Sequence, residues 1–488
     1  MKKKSAVTMI AAVLAVLAVL AIAFAVGADI AAGKETVKHC EHSISYYYKD
    51  DEGSTRFFYD DRLLSGSVAG YVSAFLTCDG TVGIFSAGTE LYRVSEAGIV
   101  KIFPAGVLRA VLSLDNSTIV FTTATQLHIY KSSTDSIETV KPEGISGIPS
   151  IAVSNDGATA AYTVKTTDGK YLTYVYENGE SRLAAENAYV LAVGSGAKNV
   201  WYVDPANSAL YNKKGSSARK VAENVSGLVE FNRDLTEAIF DVSGVTNYSK
   251  NGSRAKVLVE NASVFTTKPE CAATNGGDSA TGSVADCSTL FNCVFYTPLT
   301  SSRDQTVKVY NLYYVDRFCR SRELAIGAEA FAVYGNKLAV TVDRVLYIMN
   351  SDDPGTAKTV ARDVYSFSVK KNGELYILSL DKTLSYYTDG TKIPLAENVI
   401  HQVLAGDRCL FLKDYSKTGK LMLADGRLPL VVVNDSTAHV SVKPGSQFLY
   451  TDIYENSFGT KVCDVYSSSD GLNFTLALEG VVFPGAAD

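Results

Sequence analysis

The sequence predicts an all-β repeat fold for residues 43–480, and three observations support this prediction. A short phrase containing Glu-Asn recurs, the segments between its copies divide into four β-prone runs, and no apolar stripe of helical length follows residue 30. The copies of the phrase occupy residues 183–188, 221–225, 258–262 and 395–399. The first three Asn residues of the phrase are 37 positions apart, a period typical of repeat architectures.

Each unit follows the same order of runs and turns. After Asn187 come four short runs rich in Val, Tyr and Trp, which are separated by Gly, Pro, Asn and Lys-Gly turns. Other units contain Asn-Asp-Gly at 155–157 or Asn-Gly at 372–373, which supply the positive φ of tight hairpin turns. Four antiparallel strands per unit, repeated along a chain, indicate the blades of a β-propeller.

The spacing of the units sets an expected size for the ring. Unit ends are predicted near residues 68, 106, 144, 187, 224, 261, 325, 363, 398, 435 and 480. The intervals are mostly 35 to 45 residues, with one outlier of 64. We expect about 7–10 blades, arranged as one large toroid or as two tandem ones, because most propellers have four to eight blades.

The long interval contains an insertion at about 266–286 that is rich in Thr, Ala, Gly, Ser and Asp, as surface loops are. Half of the eight cysteines lie in or beside it: Cys271, Cys287, Cys293 and Cys319. Disulfides among these four are predicted to hold the loop against its blade. A metal site is the weaker interpretation, because no pair has C-x-x-C spacing and no His occurs between residues 129 and 400.

The N-terminus predicts the location of the protein. Residues 1–5 form a short tail with three lysines, and the apolar run 6–28 is long enough to cross a bilayer. The positive flank predicts a cytoplasmic N-terminus and a propeller outside the cytoplasm, in a single-pass protein of the cell membrane. Residues 29–42 are then a juxtamembrane connector and residues 481–488 a C-terminal tail. Cleavage after Ala28 remains the alternative.

The recurring Glu-Asn pairs are candidate residues of a binding face. In a propeller, the links between blades lie on one face, so acidic and amide groups there would surround the channel mouth. The structural interpretation is simpler and favoured, since Asn tolerates left-handed turns and Glu is solvated at strand ends. The eight residues are Glu186, Asn187, Glu223, Asn224, Glu260, Asn261, Glu397 and Asn398.

Composition and motifs argue against several classes of function. The net charge is −6 and no basic run follows the N-terminal lysines, so nucleic acid is not an expected partner. The sequence contains no nucleophile elbow, P-loop or H-E-x-x-H motif, and no cofactor is predicted. The cluster at residues 39–42, His-Cys-Glu-His, is interpreted as a polar connector and not as a metal site.

The four-strand units with Ser-Asn-Asp-Gly turns, as at 154–157, resemble bacterial extracytoplasmic propellers of the TolB and WD40-like groups. Membrane-anchored members of unassigned function in Gram-positive bacteria often end their units in a similar Ala-Glu-Asn-Val phrase, although the Gly-His and Trp-Asp pairs of true WD40 repeats are missing here. The resemblance covers about residues 40–480 and implies a binding or scaffolding role. We expect a membrane-tethered platform for an envelope protein, peptide or glycan. The alternative is a carbohydrate-active hydrolase or lyase that uses channel-facing carboxylates.

Overall fold

The computed structural model describes residues 42–77, 80–232, 234–259, 265–267, 293–298, 309–316, 318–443, 446–450, 453–457 and 459–482. These residues form 44 β-strands and one 3₁₀ turn at Ser195–Ala197. The predicted cytoplasmic tail and membrane anchor, and all but the last residue of the connector, lie outside the described residues. Within the described ranges, no helix has the length and hydropathy that crossing a membrane requires.

The strands of the first six units follow in chain order. Unit 1 contains β1 (Ile44–Lys49), β2 (Ser54–Tyr59), β3 (Arg62–Leu63) and β4 (Val68–Ala69). Units 2 and 3 contain β5 (Val72–Thr77), β6 (Val82–Ala87), β7 (Glu90–Ser95), β8 (Gly98–Phe103), β9 (Arg109–Leu112), β10 (Thr118–Thr122), β11 (Leu127–Lys131) and β12 (Ser136–Val140). Units 4 to 6 contain β13 (Ile145–Val153), β14 (Ala160–Thr166), β15 (Tyr171–Glu177), β16 (Glu180–Glu186), β17 (Tyr189–Val193), β18 (Val200–Asp204), β19 (Ala209–Lys214), β20 (Ser217–Ala222), β21 (Val225–Phe231), β22 (Glu237–Val242), β23 (Val245–Lys250) and β24 (Lys256–Val259).

The remaining strands form five units. Units 7 and 8 share one long strand and contain β25 (Phe265–Thr267), β26 (Cys293–Pro298), β27 (Tyr310–Val315), β28 (Ser321–Tyr334), β29 (Lys337–Val342), β30 (Val345–Asn350) and β31 (Asp353–Ala361). Units 9 and 10 contain β32 (Val364–Val369), β33 (Leu375–Ser379), β34 (Leu384–Thr388), β35 (Thr391–Ala396), β36 (Val399–Ala405), β37 (Arg408–Lys413), β38 (Gly419–Ala424) and β39 (Val431–Thr437). Unit 11 contains β40 (His439–Lys443), β41 (Ser446–Tyr450), β42 (Tyr454–Glu455), β43 (Lys461–Ser468) and β44 (Thr475–Val482).

Within a complete unit, the strands pair antiparallel in chain order, from an inner to an outer strand. The second strand is the most buried, because neighbouring units cover both of its faces. All five residues of β10 and of β33 are buried, which explains their continuous apolar sequence. The outer strands are mostly exposed, as in β12 and β20, and therefore hold the charged residues of the unit.

Eleven hydrophobic clusters join the described units, one between each pair of neighbours. Trp201 of unit 5 packs with Phe240 of unit 6, for example. The last cluster joins Tyr47 and Phe58 of unit 1 to Phe448 of unit 11. The described strands therefore form one closed β-propeller of eleven units, and the all-β propeller prediction is confirmed. Two tandem toroids are excluded.

The expected range of 7–10 blades was too low. Each of the eleven predicted unit ends corresponds to one unit, including the short first unit before Gly70 and the last one, which ends beside β1. A larger ring needs only a smaller rotation between neighbouring units, and each interface remains a two-sheet contact.

The predicted disulfides are not supported. Cys319 has a free thiol in the turn between β27 and β28, where it packs half-buried against the cluster of Ile239 and Tyr248. Burial raises the pKa of this thiol, so it behaves as a small apolar side chain. Cys271 and Cys287 lie outside the described residues, as does the insertion apart from Thr266 and Thr267 of β25. Cys293 lies in β26.

Candidate functional site at the channel mouth

The junctions between units share one backbone conformation. Because the strands alternate in direction, every inner strand begins on the same face of the ring, which we call the mouth face. The turn between the second and third strands lies on this face as well. At most of the described junctions, one residue adopts a left-handed φ between 50° and 83°: Gly70, Gly106, Gly144, Asn187, Asn224, Gly327, Asp363, Asn398 and Gly480.

A repeated hydrogen bond fixes the junction to the preceding unit. The backbone N–H of Val225 donates to the Ser208 carbonyl oxygen at 2.9 Å, and Ser208 belongs to the turn between the second and third strands of unit 5. Val364 and Val399 make the same bond, each at 2.9 Å, to Arg344 and Lys382. The start of each of these inner strands is therefore held rigidly, which preorganises the mouth face for contact with a partner.

Most inner strands contain a β-bulge immediately after the junction. The pairing of β32 with β33 shifts between Val364 and Ser366, and that of β36 with β37 shifts between Val399 and His401. The skipped residues are therefore Tyr365 and Ile400. Bulges turn a side chain away from the regular alternation of a strand and are common beside functional sites. At the bulge of β32, Tyr365 is exposed, whereas Ile400 at the bulge of β36 still packs against the cluster between units 10 and 11.

Exposed large apolar residues are concentrated on part of the mouth face. Four of them stand at junctions: Tyr71, Leu108, Ile326 and Tyr365, with 59, 61, 56 and 66% of their surface exposed. Four more exposed residues lie in turns between second and third strands: Leu380, Tyr415, Ile453 and Tyr454. We call these eight residues the apolar arc. Following the ring, they occupy the edge from unit 8 through units 9, 10 and 11 to units 2 and 3.

The other described part of the mouth face is polar. In units 4 to 6, the described mouth-face residues include no exposed large apolar side chain. Glu186, Asn187, Glu223 and Asn224 are exposed there, and Lys220 contacts Glu223 at 2.6 Å. The opposite face has fewer exposed large apolar residues in its turns than the mouth face has. They are Phe318, Leu428 and Leu472, in turns between third and outer strands. The apolar arc is therefore a local feature of one face.

The predicted Glu-Asn residues that are described all lie on the mouth face. The φ angles of Asn187, Asn224 and Asn398 are 50°, 53° and 57°. This is the left-handed conformation expected if these Asn residues serve to build the turn. Asn398 also donates to the Asp414 carboxylate at 3.3 Å. The pairs stand on separate units and do not converge on one point. Glu397 is exposed, and Glu260 and Asn261 lie outside the described residues.

Aromatic stacking supports the arc at the seam between the two ends of the chain. Tyr71 stacks on Tyr48 with ring centroids 3.6 Å apart, so one face of its ring is supported and the other is open. Nearby, the Asp50 carboxylate accepts hydrogen bonds from Asn456 at 3.1 Å and Thr460 at 2.9 Å. These bonds connect the turns of units 1 and 11 beside Tyr48 and Tyr454.

The charged groups beside the seam are largely paired. Lys49 contacts Glu52 at 2.9 Å and Arg56 contacts it at 2.7 Å. Hydrogen bonds from Arg56 and then from Lys49 lower the pKa of Glu52 to about 2, so this carboxylate stays ionised. A paired, solvated rim around exposed aromatic residues is the usual anatomy of a protein interface.

The inner strands provide little that resembles a catalytic centre. Their described residues include two carboxylates, Glu230 near the end of β21 and Glu329 near the start of the inner part of β28. These two residues belong to different units, 6 and 8. The Glu329 carboxylate accepts the backbone N–H of Arg344 at 3.0 Å. The described residues also contain no group of three potential metal ligands.

Histidines meet on the inner strands of units 10 and 11. The ring centroids of His401 and His439 are 5.8 Å apart, and His439 stacks on Tyr450. Burial lowers the pKa of both imidazoles, and the charge of His401 lowers that of His439 further. His42, the described member of the N-terminal cluster, lies just before β1 and contacts the Asp60 carboxylate at 2.8 Å.

The sequence analysis did not identify the apolar arc. A usable signal was nevertheless present, because Tyr71, Leu108 and Tyr365 follow the left-handed junction residue by one or two positions. Tyr365 is the residue skipped at the bulge of β32, so it leaves the alternation that points side chains into the two interfaces. Its exposure follows from the bulge, which a repeat pattern does not reveal.

No protein-family model matches the chain, and no curated protein matches it. Among solved structures, the chain is similar to the tricorn protease, at 12% identity and a TM-score of 0.26, over 78% of this chain and 45% of that one. It is also similar to a putative TolB from Agrobacterium tumefaciens, at 15% identity and a TM-score of 0.29, over 46% of this chain and 84% of that one. The β-propeller domain of the Trilobed protease from Pyrococcus furiosus matches at 11% identity and a TM-score of 0.25, over 66% of this chain and 93% of that one. The chain thus spans less than half of the tricorn protease.

Proposed function

We propose that this protein is a membrane-tethered propeller outside the cytoplasm that binds an envelope protein or peptide through the apolar arc. The main observation in support is the concentration of exposed apolar side chains on one part of the mouth face. Large exposed apolar side chains gathered on one part of a surface often mark a site where a partner binds. Tyr residues are also enriched among the residues that dominate binding energy.

The rigidity of the arc favours binding. The junction hydrogen bonds and the stacked Tyr48 fix the backbone around Tyr71 and Tyr365, so a partner loses little free energy in ordering this surface. The arc spans several units along the ring edge, which suits an extended partner that buries about 1,600 Å² in a specific complex. A small ligand would need a closed pocket instead.

Binding is tested with the fragment from Gly33 onward, used to capture partners from an envelope extract. The arc variant Tyr71→Ser/Leu108→Ser/Tyr365→Ser is expected to lose the partner. The control Phe318→Ser/Leu428→Ser/Leu472→Ser removes the same number of exposed apolar groups from the opposite face and should keep the partner. Equal capture by both variants would refute the proposal. Capture that survives proteinase treatment of the extract would identify a glycan partner instead.

The tether is tested separately. The full chain should sediment with membranes and resist extraction by carbonate, whereas the fragment from Gly33 should not. Protease added to intact cells should digest the propeller of the full chain if it faces outward. A full chain that stays in the soluble fraction would contradict the anchor without affecting the arc.

A further inference from the structure

Two cationic side chains beside unit 4 on the mouth face form no ion pair with a described carboxylate. The first is Arg109, the first residue of β9, which is the inner strand of unit 3. Arg109 is half-buried, and its hydrogen bond to a described residue is a long one, from Nη1 to the Ile148 carbonyl oxygen at 3.5 Å. A guanidinium carries several N–H donors, so most of those of Arg109 are left for water or a ligand.

The second cation is Lys165, near the end of β14, where the turn to the third strand of unit 4 begins. Its Nζ lies 5.9 Å from the centroid of the Tyr171 ring. The described ion pairs of this unit use other cations, since Asp168 contacts Lys170 at 3.1 Å and Glu177 contacts Arg182 at 2.9 Å. Within the described ranges, Arg109 and Lys165 are therefore not neutralised by an ion pair, although the net charge of the chain is −6.

Two phenols stand beside these cations. Tyr189 is the first residue of β17, the inner strand of unit 5, and its ring centroid lies 4.7 Å from that of Tyr171. Burial and then hydrogen bonding with Tyr171 raise the pKa of Tyr189, so this phenol stays protonated and can donate. The charge of Arg109 acts on the same pKa in the opposite direction, which means that the guanidinium and the phenol are close enough to interact.

The inner strand β13 of unit 4 positions the groups on either side of it. Arg109 approaches this strand from unit 3, at the Ile148 carbonyl oxygen. From unit 5, the start of β17 is held against the same strand, because the Ser150 hydroxyl donates to the Val190 carbonyl oxygen at 2.6 Å. The donors are therefore supplied by three consecutive units of a rigid ring and are preorganised for a ligand.

We propose that Arg109, Lys165, Tyr171 and Tyr189 form a binding site for an oxyanion, either a carboxylate or a phosphate group. A guanidinium binds both groups through a planar fork of N–H donors, and the Lys165 ammonium adds a second positive charge. The two phenols supply further donors. The site is independent of the apolar arc, and it takes an oxyanion that is free in solution or carried by a larger molecule.

The environment of Arg109 strengthens such an interaction. Burial lowers the pKa of Arg109, because the folded protein solvates its charge less well than water does. An oxyanion at this place restores favourable interactions to the guanidinium. Salt screens a half-buried charge pair less than a fully exposed one, so binding should persist at moderate ionic strength.

The first test is calorimetric titration of the full chain with inorganic phosphate and, separately, with succinate at constant ionic strength. At least one of them should bind at a single site, and the tighter ligand identifies the class of oxyanion. Arg109→Gln should weaken binding by about tenfold or more. Arg219→Gln removes an exposed arginine from the outer strand β20 and should leave binding unchanged. The proposal is overturned if neither anion binds, or if both variants weaken binding equally.

Two further measurements do not depend on the folding of Arg109→Gln. Lys165 is exposed, so Lys165→Gln leaves the packing intact and should weaken binding by about two- to fivefold. In the unchanged chain, the bound anion should slow the modification of Arg109 by phenylglyoxal, read by mass spectrometry, but not that of Arg219. Unchanged affinity in Lys165→Gln, or equal modification of Arg109 with and without the anion, would contradict this site.

Discussion

The hydroxyl oxygens of Tyr47 and Tyr450 lie 3.0 Å apart, although 403 residues separate them in the sequence. Tyr47 also contacts Phe448 edge to face, with ring centroids 5.8 Å apart. Burial raises the pKa of both phenols, that of Tyr450 to about 12, so both stay protonated at neutral pH. The seam between the first and last units is thus closed by a packed aromatic cluster that contains a buried hydrogen bond.

Removing one hydroxyl from this pair should weaken the seam. Tyr47→Phe is expected to lower the free energy of unfolding by about 0.5–1.5 kcal/mol, the usual net worth of such a bond. The double variant with Tyr450→Phe should cost less than the sum of the single changes, because the second change removes a hydroxyl already left without its Tyr47 partner. Urea unfolding measures all three free energies. Strict additivity would show that the hydroxyls do not interact.

The single tryptophan gives a probe of the interface between units 5 and 6. Trp201 is fully buried, and its Nε1–H donates to the Leu235 carbonyl oxygen at 2.9 Å. Trp201→Ala is expected to cost about 3–5 kcal/mol through the cavity it leaves. Trp201→Phe should cost less. In the unchanged chain, the emission of Trp201 should shift to the red on unfolding. Unfolding followed by circular dichroism compares the variants. Equal stability of Trp201→Ala and the unchanged chain would contradict this packing.

The repeated fold could be read from the sequence because its signals are local. Junction residues such as Asn224 and Asn398 need a left-handed backbone, and second strands such as β10 need continuous apolar sequence. The single closed ring depends instead on the contact between Tyr47 and Phe448, which no local pattern indicates.

The candidate site was less predictable than the fold. The Glu-Asn pairs indicated the correct face, but they report how the turn is built and not what it contacts. The exposure of Tyr365 depends on the bulge at the start of β32. The free thiol of Cys319 likewise follows from its turn, which packs it against the cluster of Ile239 and Tyr248.

Substitutions at Asn224 test whether the junction conformation is needed. Because φ is 53° there, Asn224→Gly should be close to neutral, whereas Asn224→Ala should lower the free energy of unfolding by up to about 1–2 kcal/mol. Asn224→Val should cost more, since a β-branched residue tolerates this conformation least. The adjacent exposed Glu223→Ala is the control and should change stability by no more than about 0.5 kcal/mol. A variant order that follows size or polarity would contradict the conformational explanation.

The stability of the protein should fall as the pH drops below about 6.5, the ordinary pKa of histidine. His128 is buried between Phe103 and Phe121, and burial lowers its pKa; the Lys141 charge lowers it further. The pKa of His128 is therefore lower in the folded chain than in the unfolded chain. Between the two pKa values, only the unfolded chain binds the proton. The stabilisation is therefore complete above the unfolded pKa and declines as the pH falls below it. His401 and His439 act in the same direction. Melting temperatures from pH 7.5 to 5 should show this decline, and His128→Phe, which keeps the aromatic stack, should make it shallower. An unchanged slope in that variant would show that His128 is not responsible.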